Sequence, residues 1–280
     1  MRIALINSGI GLLAPAAELH RLRPDADLVL AMDPDGMPWG PRTPDDIAAR
    51  SLAAARAAAA FEPDVLVFAC NTGTVHALPA LRAEFEPAIP VIGTVPAIKP
   101  AAAFTDSVAI WATVATTASA YQRQLIADFG GSARVTPVAC PGLADAIHAG
   151  DEAATLAAVA GAAARTPAGT GAVVLGCTEY ELAAGPIGAA LPGAALFRSA
   201  TAVAEQALRR ATAGGADPGP HGTPPRTGTL RVLLSGRLAG LPDAALRYPE
   251  GRLLAGLPAA RRRGAGRGPA VGRAAPPVPA

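Results

Sequence analysis

The chain has 280 residues and a mass of 27.9 kDa, room for one large or two medium domains, and 51% of it is hydrophobic. Its 24 Lys and Arg against 22 Asp and Glu leave a formal charge of +2, which excludes nucleic-acid binding driven by the net charge of the whole chain. Three widely spaced cysteines make no disulfide framework, no CxxC pair occurs, and His20, His76, His148 and His221 stand too far apart for a zinc site.

No apolar run approaches the roughly 18 residues of a membrane span. Arg2 and the apolar stretch ending in Ala14-Pro15-Ala16 have the outline of an export signal, but Asn7, Ser8, Gly9 and Gly11 interrupt its centre. The expected location is the cytoplasm, where thiols stay reduced. Ala-rich stretches such as residues 53–60 follow the general bias toward Ala, Gly, Pro and Arg and carry no specific meaning.

Short apolar runs alternate with longer helical patterns, the signature of βαβ units and a parallel sheet. Residues 2–6, 28–31, 65–68 and 90–93 read as strands of a first unit. Thr43 is placed to cap a helix running to Phe61, with Pro44 at its first position and Asp45 and Asp46 in its first turn. Residues 108–111, 134–138, 172–175 and 195–197 read as strands of a second unit. Ser199 is the expected cap of a helix through Arg210 that returns the chain to the first unit. Residues 214–228 form a Gly/Pro-rich connection, followed by a strand at 229–234 and a short helix near 241–247. From Pro249 onward Arg, Gly, Pro and Ala dominate, including Arg261-Arg262-Arg263, and Glu250 is the single acid. Residues 248–280 are therefore expected to be a disordered tail. The expected domains are residues 1–96 with 200–247, and residues 97–199.

The two units repeat each other. Val65-Leu66-Val67-Phe68-Ala69-Cys70-Asn71-Thr72 aligns with Ala172-Val173-Val174-Leu175-Gly176-Cys177-Thr178-Glu179. Each is a buried strand running into a cysteine, then small polar residues, then a helix. Ile6-Asn7-Ser8-Gly9 and Trp111-Ala112-Thr113 likewise both end in polar turns. Ligands of such sheets bind beyond the carboxyl ends of the strands, where all these residues fall.

A single cysteine after an apolar strand is usually inert core. Two in equivalent positions of duplicated units read differently. Each is expected just before a helix, whose positive end lowers a thiol pKa. Facing one cleft, the pair could address opposite faces of a substrate carbon, one thiol removing a proton and the other delivering one.

Several ordered segments resemble the aspartate/glutamate racemase superfamily, glutamate racemases above all, across residues 1–247. They are Asn7-Ser8-Gly9, Pro38-Trp39-Gly40, Ala69-Cys70-Asn71-Thr72, Pro90-Val91-Ile92-Gly93, Ala112-Thr113 through Thr116, Cys140-Pro141, and Leu175-Gly176-Cys177-Thr178-Glu179-Tyr180. The resemblance implies two pseudo-symmetric, doubly wound (flavodoxin-like) parallel-sheet α/β domains with the active site between them. It implies a racemase that needs no cofactor, neither PLP nor a metal, with Cys70 and Cys177 as the acid/base pair. It also implies that Ser8, Pro38, Trp39, Gly40, Asn71, Thr72, Thr113, Thr116 and Thr178 hold a small acidic amino acid. The expected product would feed peptidoglycan synthesis; no membrane or nucleic acid is expected as partner, and a homodimer is the assembly considered.

Two positions depart from the glutamate racemase pattern: Asn7 stands where Asp is usual and Glu179 where His is usual. Glu after Cys-Thr is similar to the aspartate racemase branch, so Glu179 and Asn7 join the thiols as catalytic candidates. An aspartate racemase, or a cysteine-dependent decarboxylase or isomerase of small dicarboxylates, is the first alternative; a non-catalytic binding or regulatory relative is the second.

Plainer readings stand beside these. Asn7, Thr113 and Thr116 also suit turns and caps, and Trp39 suits a lid. Cys140 has no counterpart in the repeat and reads as structural, while His76 and His148 read as solvent-facing helix residues. Gly9-Ile10-Gly11-Leu12-Leu13-Ala14 with Asp33 about 20 residues on spells a dinucleotide-binding fingerprint, but that reading leaves the repeated cysteines unexplained.

Overall fold

The computed structural model describes residues 1–216 and 227–260. Most of the Gly/Pro-rich connection (217–226) and residues 261–280, with the Arg261-Arg262-Arg263 cluster, lie outside the described residues.

The first sheet is built from β1 (Arg2–Asn7), β2 (Asp27–Met32), β3 (Val65–Phe68) and β4 (Val91–Gly93). Helices α1 (Leu13–Leu22), α2 (Pro44–Ala59), α3 (Asn71–Phe85) and α4 (Ile98–Phe104) follow these strands in turn. The second sheet is built from β5 (Ser107–Ala112), β6 (Arg134–Ala139), β7 (Ala172–Leu175) and β8 (Ala195–Phe197). Its connections hold α5 (Val114–Ala118), α6 (Ala120–Phe129), α7 (Leu143–Ala149), α8 (Glu152–Arg165) and α9 (Ala184–Ala190). Then α10 (Ala200–Ala213) returns to the first sheet, which β9 (Leu230–Leu234) and β10 (Arg237–Ala239) extend before α11 (Pro249–Ala255).

The second sheet runs β6-β5-β7-β8 and the core of the first runs β2-β1-β3-β4, the same order in each. This doubly wound α/β duplication agrees with the repeat legible in the sequence. One correction applies: β10 pairs antiparallel with β9, so the first sheet is parallel except at that edge. Ser235-Gly236 makes the tight reversal between them, with Gly236 at φ 77°.

Both faces of each sheet are covered, so the strands read as apolar runs rather than alternations. Ile3, Leu5, Leu28 and Leu30 pack with α1 and α10 residues on one face, while Ala4, Ile6, Leu66 and Phe68 pack toward α2 and α3 on the other. Thr43 caps α2 as expected, its hydroxyl accepting from the Asp46 N–H at 3.3 Å with Pro44 in the first turn.

Two other expectations are corrected. Ser199 precedes α10 but makes no side-chain cap bond. Instead Glu181 accepts from the Ser199 N–H (2.8 Å), the Ser199 hydroxyl (2.7 Å) and the Ala200 N–H (3.2 Å), so a buried carboxylate from elsewhere ends the helix. The tail expected from residue 248 begins as α11, with Pro249 in its first turn and Leu254 fully buried against α1. Beyond it the backbone of Pro258 and Ala260 hydrogen-bonds to Leu230. Two leucines in an Arg/Gly/Pro-rich segment suffice, because β9 and α1 offer an apolar surface to receive them.

Among the described residues no helix is long and apolar enough to cross a membrane.

Candidate active site

The first residue after each of β3 and β7 continues the ladder by one hydrogen bond. The Ala69 N–H donates to the Ile6 carbonyl at 2.9 Å, and the Gly176 N–H donates to the Trp111 carbonyl at 2.7 Å. The next residues are Cys70 and Cys177, so the repeat delivers the two thiols at matched positions on the carboxyl edges of the two sheets. Position 176 has to be glycine: a Cβ there would lie 2.8 Å from the Trp111 carbonyl oxygen.

Two asparagines join the halves reciprocally. Asn7, wholly buried, donates through Nδ2 to the Ala69 carbonyl (2.6 Å) and to Thr178 Oγ1 (3.1 Å). A carbonyl can only accept, which fixes the amide nitrogen on that side. Its Oδ1 accepts from the Ser8 hydroxyl and the Gly9 N–H. Asn71 Nδ2 donates to the Gly176 carbonyl at 2.8 Å, while its Oδ1 is buried without a partner.

Both cysteines line one cavity of about 300 Å³. Of the residues singled out in the sequence, Ser8, Pro38, Trp39, Gly40, Thr72, Thr113 and Glu179 line it too. Asn7, Asn71, Thr116 and Thr178 do not; they sit behind the wall and hold its members. Thr116 bonds Thr113 through both hydroxyl and N–H, and Thr178 bonds Asn7 and Glu179. A larger groove of about 930 Å³ lies at the far edge of the first sheet, beside Arg2, Phe61 and Arg231, and contains none of these residues.

Trp39 is an anchor rather than a lid. It is buried, stacks on Phe68 with ring centroids 5.9 Å apart, and donates Nε1–H to Asp33 at 3.0 Å. That bond also removes the dinucleotide reading. Asp33 is taken up by Trp39, Ser235 and Arg50. A Cβ at Gly11 would run into Thr178, Asn7 and Glu179, and one at Gly9 into His148 and Met37. The glycines serve close packing of the β1–α1 loop and leave no space there for a pyrophosphate.

The surroundings of the thiols differ. Cys70 caps α3, and its sulfur accepts from the Gly73 N–H at 3.4 Å. Cys177 precedes a 3-10 turn, Thr178–Ala183, and its thiol donates to Glu179 Oε2 at 2.9 Å. The helix ends were expected to depress both pKa values; the reverse holds. Burial first, then the charge of Glu179, pushes Cys70 up to about 12, outweighing the N–H groups of Gly73 and Thr72. Burial, the Glu179 charge and the bond to it raise Cys177 well above an ordinary thiol. Near neutral pH both sulfurs are therefore thiols.

Three side chains in or beside the cavity were not expected there. His148 was expected to face solvent but lines the cavity, with Nδ1 buried and unpartnered. Cys140 also lines it; its buried thiol donates to the Val138 carbonyl, and burial lifts its pKa to about 12. Tyr121 on α6 has a buried, unpartnered hydroxyl raised to about 12 by burial and by Cys70 nearby. Only the Cys140-Pro141 motif gave a signal for this region. Among the described residues no cluster of three or more His, Cys, Asp or Glu is placed to hold a metal ion.

Fold and site together define an α/β protein with a paired-thiol cleft between two sheets of the same strand order. The chain belongs to the Asp/Glu/hydantoin racemase family, whose model matches residues 11–207. It is 36% identical over 213 residues to a glutamate racemase of Herpetosiphon aurantiacus, covering 74% of this chain and 83% of that protein. It is 40% identical over 187 residues to a glutamate racemase of a Roseiflexus species, covering 64% and 68%. Among solved structures it resembles Escherichia coli glutamate racemase in complex with L-glutamate and the activator UDP-MurNAc-Ala. The TM-score is 0.73 and the identity 28%, over 88% of this chain and 91% of that one.

Proposed function

We propose that the protein racemises an acidic amino acid, glutamate before others, with Cys70 and Cys177 exchanging the α-proton from opposite faces. One observation carries this: thiols from equivalent strand ends of two like-ordered sheets line a single cavity. The names of the family relatives supply the substrate.

The resting thiols need activation, and the site supplies a route. The Cys177 proton passes to Glu179 along their 2.9 Å hydrogen bond, leaving a thiolate and a carboxylic acid. The substrate ammonium favours that thiolate by attraction. The thiolate takes the α-proton, the carbanion takes a proton from the Cys70 thiol on its other face, and the product is the enantiomer with Cys70 now ionised. The reverse sequence runs from Cys70. Ser8, Thr72 and Thr113 offer hydroxyls to the substrate carboxylates, and Pro38-Trp39-Gly40 forms the wall beside them; Asn7, Asn71, Thr116 and Thr178 hold the lining residues in place.

This chemistry needs no cofactor, so added PLP, NAD or metal ions leave the rate unchanged. The reading carries with it a division of the chain into residues 1–96 with 200–247, extended by α11, and residues 97–199. It also places the protein in the cytoplasm as a homodimer, its D-glutamate feeding peptidoglycan synthesis.

The test is proton NMR in D₂O with a panel of L- and D-amino acids. Loss of the α-proton signal of glutamate, dependent on both cysteines, is the expected result. Tight binding of glutamate with no exchange favours a binding protein, and exchange of aspartate alone reassigns the substrate.

A further inference from the structure

His148 sits on α7 with its ring in the cavity wall and Nδ1 buried without a hydrogen-bond partner. A Cβ at Gly9 would lie 2.7 Å from Nδ1 and 2.9 Å from Cε1, so that nitrogen packs against the β1–α1 loop and the ring lines the cavity with the rest of its surface. The charge balance gives the cavity a sign. No Lys or Arg lines the cavity, whereas Glu179 and Asp145 do. An acidic amino acid brings two carboxylates and one ammonium, one net negative charge, into a wall that is already acidic. His148 is the lining side chain that can become a cation.

We propose that His148 takes up one proton as the acidic substrate enters and, as an imidazolium, pairs with a substrate carboxylate. This rests on the reading that the substrate is an acidic amino acid.

Its surroundings prepare His148 for the role. Burial lowers its pKa below the ordinary histidine value, against the opposing pull of Glu179 and then Asp145, so near neutral pH the ring is uncharged. Other charged groups on elements packed against α7 are Glu181 on the 3-10 turn, Glu152 and Arg165 on α8, and Asp243 and Arg247 beside α11. Glu181 is engaged by Ser199 and Ala200, and Arg165 reaches the Ala139 carbonyl. A carboxylate arriving beside the ring offsets desolvation by attraction and raises the pKa. Between the lowered free value and the raised bound value, binding draws a proton from solution. Over that same interval affinity falls as pH rises, and above the bound value it levels off.

The experiment is calorimetric titration of the full-length protein with racemic glutamate near neutral pH, in buffers of different ionisation heat. Racemic ligand keeps turnover silent, because enantiomers interconvert without heat. Wild type is expected to take up close to one proton per site. His148→Asn is expected to take up none and to bind roughly tenfold or more weakly, the loss of one charge-assisted hydrogen bond. Binding by wild type without proton uptake overturns the proposal whatever the variants do. Undiminished uptake in folded His148→Asn or His148→Gln moves the proton elsewhere and also overturns it. Failure of wild type to bind any acidic amino acid overturns the substrate reading itself, and this proposal with it.

Discussion

The thiol of Cys177 donates to the Glu179 carboxylate across 2.9 Å, whereas the matched Cys70 thiol accepts from a backbone N–H. One thiol has a proton acceptor at hand and the other has only a helix end. Glu179→Gln is therefore expected to lower racemisation by about 10²–10⁴-fold, the usual worth of one positioned acid/base group, with a smaller change in KM. At low substrate, exchange in D₂O should fall by the same factor from either enantiomer, because kcat/KM is tied between them. A raised KM with kcat unchanged would make Glu179 a binding group instead.

Cys70→Ala and Cys177→Ala should each abolish racemisation, since every turnover needs a base on one face and an acid on the other. Cys140 lines the same cavity but has no place in that sequence. Cys140→Ala should keep turnover within a few-fold and lose only about 1 kcal/mol of stability from its small buried volume. Circular-dichroism assay of turnover and urea unfolding of the three variants check this.

The raised thiol pKa values predict slow alkylation. An acid raised to about 12 is almost wholly protonated at neutral pH, and its thiolate fraction grows about tenfold per pH unit. Carbamidomethylation of Cys70, followed by mass spectrometry, should accelerate at that slope without a plateau below about pH 10. A plateau near neutrality would mean that the thiolate is already formed without substrate.

Asn7→Asp is expected to lower the rate. The amide nitrogen of Asn7 meets the Ala69 carbonyl and Thr178. A carboxylate there would face a carbonyl oxygen without a proton between them and would raise the Cys70 pKa further. Stability should drop by about 1–3 kcal/mol for the broken buried bond, and the loss should shrink at acid pH, where the aspartate is protonated. A faster enzyme would show that charge near Cys70, not the Asn7 bridge, limits turnover.

Glu181 gives a prediction about stability alone. Burial raises its pKa against the Ser199 and Ala200 hydrogen bonds. A carboxyl raised in the folded state contributes stability fully below its unfolded pKa, and that contribution is lost as pH rises through the folded pKa. Glu181→Gln should therefore flatten the decline in urea stability on going from acid to neutral pH. Glu181→Ala should cost about 1–3 kcal/mol, because it strands the Ser199 and Ala200 N–H groups.

The strand pattern and the paired cysteines were legible because both are local. Buried parallel strands are continuous apolar runs, and a repeated strand-Cys-helix segment places its thiols by topology alone. What escaped depends on three-dimensional neighbours. His148 looks isolated in the sequence and becomes a lining residue only when α7 meets the β1–α1 loop. Glu181 caps a helix that begins 19 residues later, outside the reach of any local capping rule. Leu254 looks like a stray apolar residue in a polar tail until α1 covers it. The thiol pKa values were misjudged for a related reason: the helix ends are visible in sequence, but the burial that outweighs them is not.

The unequal surroundings of Cys70 and Cys177 meet a thermodynamic limit. Mirror-image substrates have equal free energies in water, so the equilibrium constant between them is unity. By the Haldane relation kcat/KM must then be identical in the two directions for any racemase. The unequal settings of Cys70 and Cys177 cannot favour one enantiomer at equilibrium. They can appear only as compensating differences in kcat and in KM, so that the tighter-bound enantiomer is converted the more slowly in the same proportion.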